Sequence, residues 1–450
     1  MLIKGVSLED IATVILAAGK GTRMKSDLVK VLHPLLGLPM LSYPIDLSLN
    51  GIKAEKTIVV VGYQADQIKE RFKNPQIQFV LQKEQLGTGH AVLQTIPFLK
   101  NFNGTVLILC GDVPLVKAET LHSFIETFRE NGSHLSVLTV VVKNPFGYGR
   151  IIRSLEGWLE KIVEEKDASE EERPVREINT GIYCIKASFL IEGLRKIGKD
   201  NAQGEYYLTD LVEISRKNGF RCSAHIVSDP VEVMGINTRV DLAVANEVLK
   251  QEKLKELMLS GVTVLDPKTT YVERMVEVGR ETTLYPNCYL NGMTKIGERC
   301  IIEPNCKISD STISNEVMIL PNSVITQSQI EEGASIGPFA HLSPLTVVKT
   351  KAKIGNFVEM KKSVTGKASK ANHFTYNGDR VFVGSNVKLV APVKVGNGST
   401  IGAGYTITED VPGGALAISR PRQKNIKGWS GRIEFRRKKK NNNKNKKNRG

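Results

Sequence analysis

TVILAAGKGTRMKSDLVKVLH, Thr13 to His33, couples a short apolar run to a glycine-rich turn studded with cations. Thr13 to Leu16, continuing into Ala17 and Ala18, reads as a buried strand. Gly19 and Gly21 follow at once, and without Cβ atoms they let the backbone pass close to a ligand with its N–H groups toward phosphate oxygens. Arg23, Lys25 and Lys30 add positive charge just beyond. A strand, a tight turn and a solvated basic helix start would read the same way, so a lone GxG decides little. The string is not a Walker loop, since GxxxxGK[ST] is absent, and Met24 stands where the third glycine of a dinucleotide fingerprint belongs.

Outward from this stretch, residues 14 to about 240 alternate apolar runs with amphipathic ones. TIVVVGY (57 to 63), TVLILCGD (105 to 112) and LSVLTVVV (135 to 142) are expected strands, and Ala65 to Phe72 and Glu119 to Arg129 have helical spacing. The alternation predicts an α/β domain with a mainly parallel sheet, whose ligands sit outside the carboxyl ends of the strands. Two strings fall at such ends. In QKEQLGTGHA, Gln82 to Ala91, the amide of Gln82 can match a pyrimidine edge as donor and acceptor while the backbone at Gly87 and Thr88 approaches closely. By itself the string is equally a helix entry capped by Thr88. In CGDVP, Asp112 follows a strand directly; turn chemistry explains it, and so does a Mg2+ ligand beside a triphosphate.

Composition bounds the rest. A chain of 450 residues with 41% hydrophobic content can build two or three cores. The first dozen residues carry no long apolar segment, no membrane span is predicted, and a cytoplasmic protein is expected. Cys110, Cys184, Cys222, Cys288, Cys300 and Cys306 include no CxxC pair, so they are expected to be reduced packing residues. The net charge of +15 is concentrated: residues 432 to 450 hold ten Lys/Arg against one Glu, leaving +6 elsewhere. That tail, 431–450, is expected to be disordered, and without base-reading chemistry it implies no specific nucleic-acid partner.

RVDLAVANEVLKQEKLKELML, Arg239 to Leu259, reads as one long helix ended by Ser260 and Gly261, a candidate linker over 240–261. Beyond it the period becomes six. Val278, Leu284, Leu290, Ile296, Ile302 and Ile308 form one set, Ile313, Ile319 and Ile325 a second, and Ile330, Ile336, Leu342, Val348, Ile354 and Met360 a third, with one-residue slips between. The register resumes at Val383, Leu389, Val395, Ile401 and Ile407. Hexapeptide repeats of this kind predict a left-handed parallel β-helix over 262–430, with one aliphatic side chain per flat face pointing inward.

LAAGKGTRM followed by KVLH resembles the sugar-phosphate nucleotidylyltransferases. With GYGRI, IVEEKDA, EINTGI, AQGEYYLTD, MGINTR and GNFVEMKK in this order, the chain from about Ala12 to Trp429 resembles one bacterial family. This is the bifunctional N-acetylglucosamine-1-phosphate uridylyltransferase and glucosamine-1-phosphate N-acetyltransferase. The resemblance implies a Rossmann-like nucleotidyltransferase domain (1–239) that makes UDP-N-acetylglucosamine, a cell-wall and lipopolysaccharide precursor, and pyrophosphate from UTP and N-acetylglucosamine 1-phosphate. Leu16, Ala17, Ala18 and Gly19 would line the nucleotide, Arg23 and Lys30 would meet phosphates, and Gln82, Gly87 and Thr88 would select uracil. Gly149, Glu164 and Asn179 would hold the acetamido sugar, and Asp112 and Asn237 would bind Mg2+. In the second domain, the resemblance implies a homotrimer that acetylates glucosamine 1-phosphate from acetyl-CoA. His373 would be the base and Glu359 would tune it, with Lys361 and Tyr376 on the sugar phosphate and Ser385, Ala403 and Arg420 on coenzyme A.

The sequence departs from the family at three places. Val29 replaces a proline in the signature, Ser343 stands at an expected phosphate-binding arginine, and after Asp379 a segment of about thirty residues is missing, a loss that a repeat architecture tolerates. Acetyl transfer is therefore expected to be impaired. Two other readings stay open: a uridylyltransferase whose β-helix is only a trimerisation scaffold, and a non-catalytic sugar-nucleotide or RNA-binding protein.

Overall fold

The computed structural model describes residues 10–362, 364–371, 381–384, 387–389 and 393–419. The chain divides into two units, Met1–Leu259 with Tyr271–Val276, and Ser260–Thr270 with Glu277–Gly450. The first is built on nine strands: β1 (Ile11–Ala17), β2 (Lys56–Val61), β3 (Ile77–Leu81), β4 (Thr105–Cys110), β5 (Leu135–Val141), β6 (Arg150–Arg153), β7 (Leu159–Val163), β8 (Glu177–Lys186) and β9 (Cys222–Val227). Their order across the sheet is β9-β5-β8-β4-β1-β2-β3, with β6 and β7 forming an antiparallel arm off β8. All pairs along the main path are parallel except those of β8, which runs antiparallel to both β4 and β5.

The expected strand β1 sits at the centre because it is apolar on both faces. Ile11, Ile15 and Ala17 join Val59, Val61, Leu107 and Leu109 in one core. Ala12, Val14, Ile58, Val60, Val106 and Ile108 alternate into the other. Helix α1 (Ala118–Glu130) covers the first core with Leu121, Phe124, Ile125 and Phe128. Helices α2 (Ala187–Leu194) and α3 (Asp210–Lys217) cover the second with Phe189, Leu190, Leu211 and Val212. The parallel register pairs Leu16 with Cys110 and Ala17 with Val61, so the loops after β1, β2 and β4 open at one end of the sheet. The helix expected from Arg239 is α4, Arg239–Leu259; it belongs to the first unit, and Gly261 beyond it takes a φ of +96°.

The second unit is a stack of two- and three-residue parallel strands forming a parallel β-helix. From Leu284 to Met360 every aliphatic position of the six-residue period is buried, as are Val383, Val395, Ile401 and Ile407, whereas Val278 is half-buried. The corners are marked by residues with positive φ. After Ile296, Ile302, Ile313 and Ile319 such a residue comes three positions later, at Arg299, Asn305, Glu316 and Asn322. After Ile308 and Ile325 it comes one position sooner, at Asp310 and Gln327. Those are the two slips in the sequence period, and the inward side chain stays buried across both. Gly292, two positions after Leu290, has the same early positive φ with the spacing kept at six, so the early φ accompanies a slip without requiring one. Cys288, Cys300 and Cys306 are fully buried, and their thiols donate to backbone carbonyls, Cys300 Sγ to Ser314 O at 3.1 Å. Burial pushes Cys288 up to about 12 and Cys306 to about 11, as suits unreactive packing residues.

One coil differs. Successive strands on the longest ladder step by seventeen or eighteen residues from Thr283 to Lys370, but Lys370 pairs with Phe382, only twelve positions on. Among the described residues, the second ladder, running from Tyr289–Asn291, ends at Glu359–Met360, and the third ends at Val364–Thr365. Twelve is a multiple of six, and Val383 beyond the step is buried like Ile354 before it.

Candidate active site

The loops at the carboxyl end of the sheet enclose a cavity of about 330 Å³, lined among others by Leu16, Ala17, Ala18, Gly19, Lys30, Gln82, Gly87, Thr88, Cys110 and Asp112. Its floor is the end of β1, after which Gly21 takes a φ of +63°. A Cβ there would lie 2.4 Å from the Cβ of Lys30, so glycine is what allows the signature to fold back and bring Lys30 over the end of the strand.

Lys30 Nζ is the centre of the polar cluster. It bonds Asp112 Oδ2 and, at 2.8 Å, Asn237 Oδ1, which also accepts from Arg23 Nη2 at 2.8 Å. The two oxygens expected to hold a metal thus converge on one cationic nitrogen. Two observations explain how Asn237 reaches the site. Ile236 N donates to Asp112 O at 2.8 Å, tying the two loops together. Asp241 Oδ2 accepts from the backbone N–H groups of Asn237 and Thr238 at 3.0 and 2.8 Å, while Thr238 Oγ1 accepts from Asp241 N at 3.2 Å. This reciprocal cap fixes the start of α4 and with it the residue just before. Asp241 is not among the residues expected from the sequence, although Thr-x-x-Asp before a helical run is the signal for it.

At the opposite wall, Gln82 is almost fully buried, and Gln82 Nε2 is 3.1 Å from both Gly87 O and His90 Nδ1. The Nε2 end of the amide is thus turned to Gly87 O and His90, whereas the sequence leads one to expect an amide presenting both donor and acceptor. Gly87, with a φ of +107°, brings the chain so close to Tyr206 O that a Cβ would lie 2.6 Å away. Thr88 opens the helix Thr88–Leu93 from inside; its hydroxyl accepts from Leu208 N at 3.1 Å, which replaces the expected cap.

The expected sugar residues are also neighbours. Asn179 N donates to Gly149 O at 2.9 Å, and a Cβ on Gly149 would stand 3.4 Å from Glu164 Oε1. The Asn179 amide is held at both ends, donating to Tyr183 OH at 2.8 Å and accepting from Gly181 N at 2.9 Å. Burial, reinforced by Asp167, raises the pKa of Glu164, and burial with Glu213 and Asp167 raises Asp210 to about 6. Arg150, next to Gly149 and 2% exposed, secures this loop through Glu165 Oε2 at 2.7 Å and the carbonyls of Tyr148 and Arg173. Arg150 is likewise absent from the sequence expectations, because nothing local marks it as buried. Burial holds the Cys110 thiol protonated, and it donates to Gly181 O at 3.4 Å.

In the second unit, Glu359 stands beside His341 on the adjacent strand, Oε1 to Nδ1 3.7 Å. Ser343 Oγ lies 3.5 Å from His341 Nε2. Lys361 and Ala403 are exposed. His373, Tyr376, Ser385 and Arg420 lie outside the described residues, as do the junction at Asp379 and the basic tail. Among the described residues, no group of three or more His, Cys, Asp or Glu could hold a metal, and no helix is long and apolar enough to cross a membrane.

Residues 13–172 match the MobA-like NTP transferase domain family, and residues 272–372 match the GMPPB C-terminal domain family. The chain is 48% identical over 468 residues to the bifunctional protein GlmU of Geobacter metallireducens, across 93% of this chain and 98% of that one. It is 46% identical over 458 residues to the bifunctional protein GlmU of Pelobacter propionicus, across 95% and 99%. The corresponding protein of Geobacillus thermodenitrificans is 43% identical over 455 residues, across 94% and 98%. An alignment of 458 positions that uses 95% of a 450-residue chain leaves about thirty positions with no residue here, the size of the expected missing segment.

Proposed function

The chain belongs to the family of the bifunctional GlmU proteins, and from that premise we propose how its residues divide the work of UDP-N-acetylglucosamine biosynthesis. It is an enzyme whose first unit transfers UMP from UTP to N-acetylglucosamine 1-phosphate and whose second carries the fold of the acetyl transfer from acetyl-CoA to glucosamine 1-phosphate. The observation that carries the first assignment is the convergence of Asp112 and Asn237 on the Lys30 ammonium, beside a cavity walled by Gln82, Gly87 and Thr88.

In that reaction a sugar-phosphate oxygen bonds to the α-phosphorus of UTP as the bond to pyrophosphate breaks. The attacking oxygen is already anionic, so no general base is needed; alignment of two anions and neutralisation of charge are what the site must supply. Lys30 and Arg23 provide the positive charge. Gly149, Glu164 and Asn179 hold the acetamido sugar, with Asn179 unable to turn because its amide is bonded at both ends.

Mg2+ fits the same place. Asp112 and Asn237 present one carboxylate and one amide oxygen, the hard donors that Mg2+ takes alongside phosphates, and a cationic group already bridges them. Bound there, it would add charge to the triphosphate and fix its orientation. We place the reaction in the cytoplasm. We also propose a homotrimer, supported by the solvent-facing rings of Phe339 and Phe357, 48% and 56% exposed and stacked 5.1 Å apart on the second unit.

A second reading, uridylyl transfer with the β-helix as scaffold, is favoured by the twelve-residue step from Lys370 to Phe382 and by Ser343. Assaying the purified protein for pyrophosphate release from UTP and N-acetylglucosamine 1-phosphate, and separately for thiol release from acetyl-CoA and glucosamine 1-phosphate, tests both. Absence of the first activity with Mg2+ present overturns the assignment of the first unit.

A further inference from the structure

Behind the expected base contact lies a short polar relay. Gln82 Nε2 is 3.1 Å from Gly87 O and from His90 Nδ1; His90 Nε2 in turn is 3.1 Å from Gln94 Nε2, which also donates to His90 O at 3.1 Å. The His90 ring lies over Tyr206, centroids 6.0 Å apart. A neutral imidazole has one bare nitrogen, so the two amides compete for a single acceptor. Gly87 O can only accept, which commits the Gln82 NH2 to this side. His90 O likewise commits the Gln94 NH2, so His90 completes the arrangement at Gln82 when Nδ1 is the bare nitrogen and Nε2 carries the proton, with Gln94 then held by His90 O and opposed by that proton. Among the described residues Gln82 bonds the protein through Nε2 and its backbone, no side-chain hydrogen bond uses Oε1, and the residue lines the cavity.

Resting on uridylyl transfer as the reaction of this site, we propose that His90 is the positioning residue that holds Gln82 oxygen-outward and so makes the pocket discriminate uracil from cytosine. Uracil carries N–H at N3 and donates to that oxygen; cytosine has a lone pair there, which would face Gln82 Oε1 without a hydrogen between them. If Nδ1 carried the proton instead, the amide would be driven to turn over, and its NH2 would then suit cytosine and reject uracil. Specificity is thus set one residue behind the group that reads the base.

The test is the ratio of kcat/KM for UTP and CTP, each with N-acetylglucosamine 1-phosphate and Mg2+, in the wild-type chain and three variants. His90→Phe keeps a ring against Tyr206 but removes the acceptor, and the UTP/CTP ratio is expected to fall by about five- to tenfold through the KM for UTP, the loss of one hydrogen bond of this kind. His90→Asn, whose side-chain oxygen can accept where Nδ1 did, is expected to recover most of the ratio. Gln94→Leu removes the competing amide, and its ratio is expected to hold or rise. An unchanged ratio in a folded His90→Phe, or a drop in Gln94→Leu equal to that in His90→Phe, overturns this role for His90. Failure of the wild-type protein to use either nucleotide instead overturns the reaction on which the proposal rests.

Discussion

Lys30 and Asn237, 207 positions apart in the chain, meet through a 2.8 Å hydrogen bond from ammonium to amide oxygen, and the same ammonium bonds Asp112. Both partners are oxygens we propose for Mg2+, so on that proposal the lysine and the metal would compete for the same two ligands. Removing Lys30 therefore has two opposite consequences. Lys30→Met should lower kcat/KM for uridylyl transfer by ~10²–10³, the usual cost of one charge-stabilising group. Binding of Mn2+ in place of Mg2+, followed by its electron paramagnetic resonance signal, should be equal or tighter. Weaker Mn2+ binding would show that the lysine supports the metal site and does not compete with it.

Asp112→Ala leaves Asn237 as the remaining assigned protein oxygen for the metal. Uridylyl transfer should be lost in this variant, and in the wild-type protein with excess EDTA. Full turnover under either condition would remove the metal from Asp112 and Asn237.

The cap of α4 links stability to the same site. Thr238→Ala breaks the reciprocal bonds with Asp241 and should cost about 1 kcal/mol, or ~2–4 °C in Tm for a unit of this size. Because Asn237 N bonds the same carboxylate, the Mg2+ concentration needed for half-maximal rate should rise as well. A loss of stability with no change in Mg2+ requirement would separate the cap from the site.

Asp210 gives a pH signature. Its pKa is raised from 3.8 to about 6, first by burial and then by Glu213 and Asp167. The folded state therefore favours the protonated acid. The stability this group contributes is complete below pH 3.8 and is lost as the pH rises through 6. Asp210→Asn should raise Tm at pH 8 by an amount equivalent to about 1–2 kcal/mol, discounted from the full shift for the partial exposure of the group. It should leave Tm nearly unchanged at pH 4, and thermal melts at the two values decide it.

What is legible in the sequence is whatever local chemistry repeats. The doubly buried strand β1 announces itself because Ile11 to Ala17 is apolar at every position but Thr13, and the coils do so because one aliphatic side chain is needed every six residues. The one-residue slips at Ile308 and Ile325 are visible, but the corners that carry them are not, since a residue with positive φ leaves no mark in hydrophobicity. The polar cluster is legible in its members and not in its connections. Lys30, Asp112 and Asn237 come from three separate loops, and only the parallel register of β1 with β4 and the cap of α4 bring them together. His90 and Arg150 stay hidden for the same reason, since each acts on a neighbour whose position is set by tertiary packing.

The twelve-residue step from Lys370 to Phe382 leads to the last expectation, that acetyl transfer from acetyl-CoA to glucosamine 1-phosphate is weak or absent. The hexad core persists on both sides of the junction: Ile354, Met360, Val383 and Ile401 are all buried, so the unit can fold without the missing segment. Residues that would hold substrates have no such protection. Ser343 replaces an expected arginine and only approaches His341 Nε2 at 3.5 Å, while about thirty positions of the alignment with the Pelobacter propionicus relative have no residue here. Removing one buried, charge-assisted hydrogen bond to a substrate costs about 2–5 kcal/mol, and every ~1.4 kcal/mol is a factor of ten in rate. Two such removals are enough to suppress turnover by several orders of magnitude. Thiol release from acetyl-CoA, measured beside a His373→Ala control, should be close to that control. Inserting the corresponding segment of the Geobacter metallireducens relative after Asp379, together with Ser343→Arg, should raise it. Robust release in the unmodified chain that disappears in His373→Ala would show that the shortened coil still builds a working site.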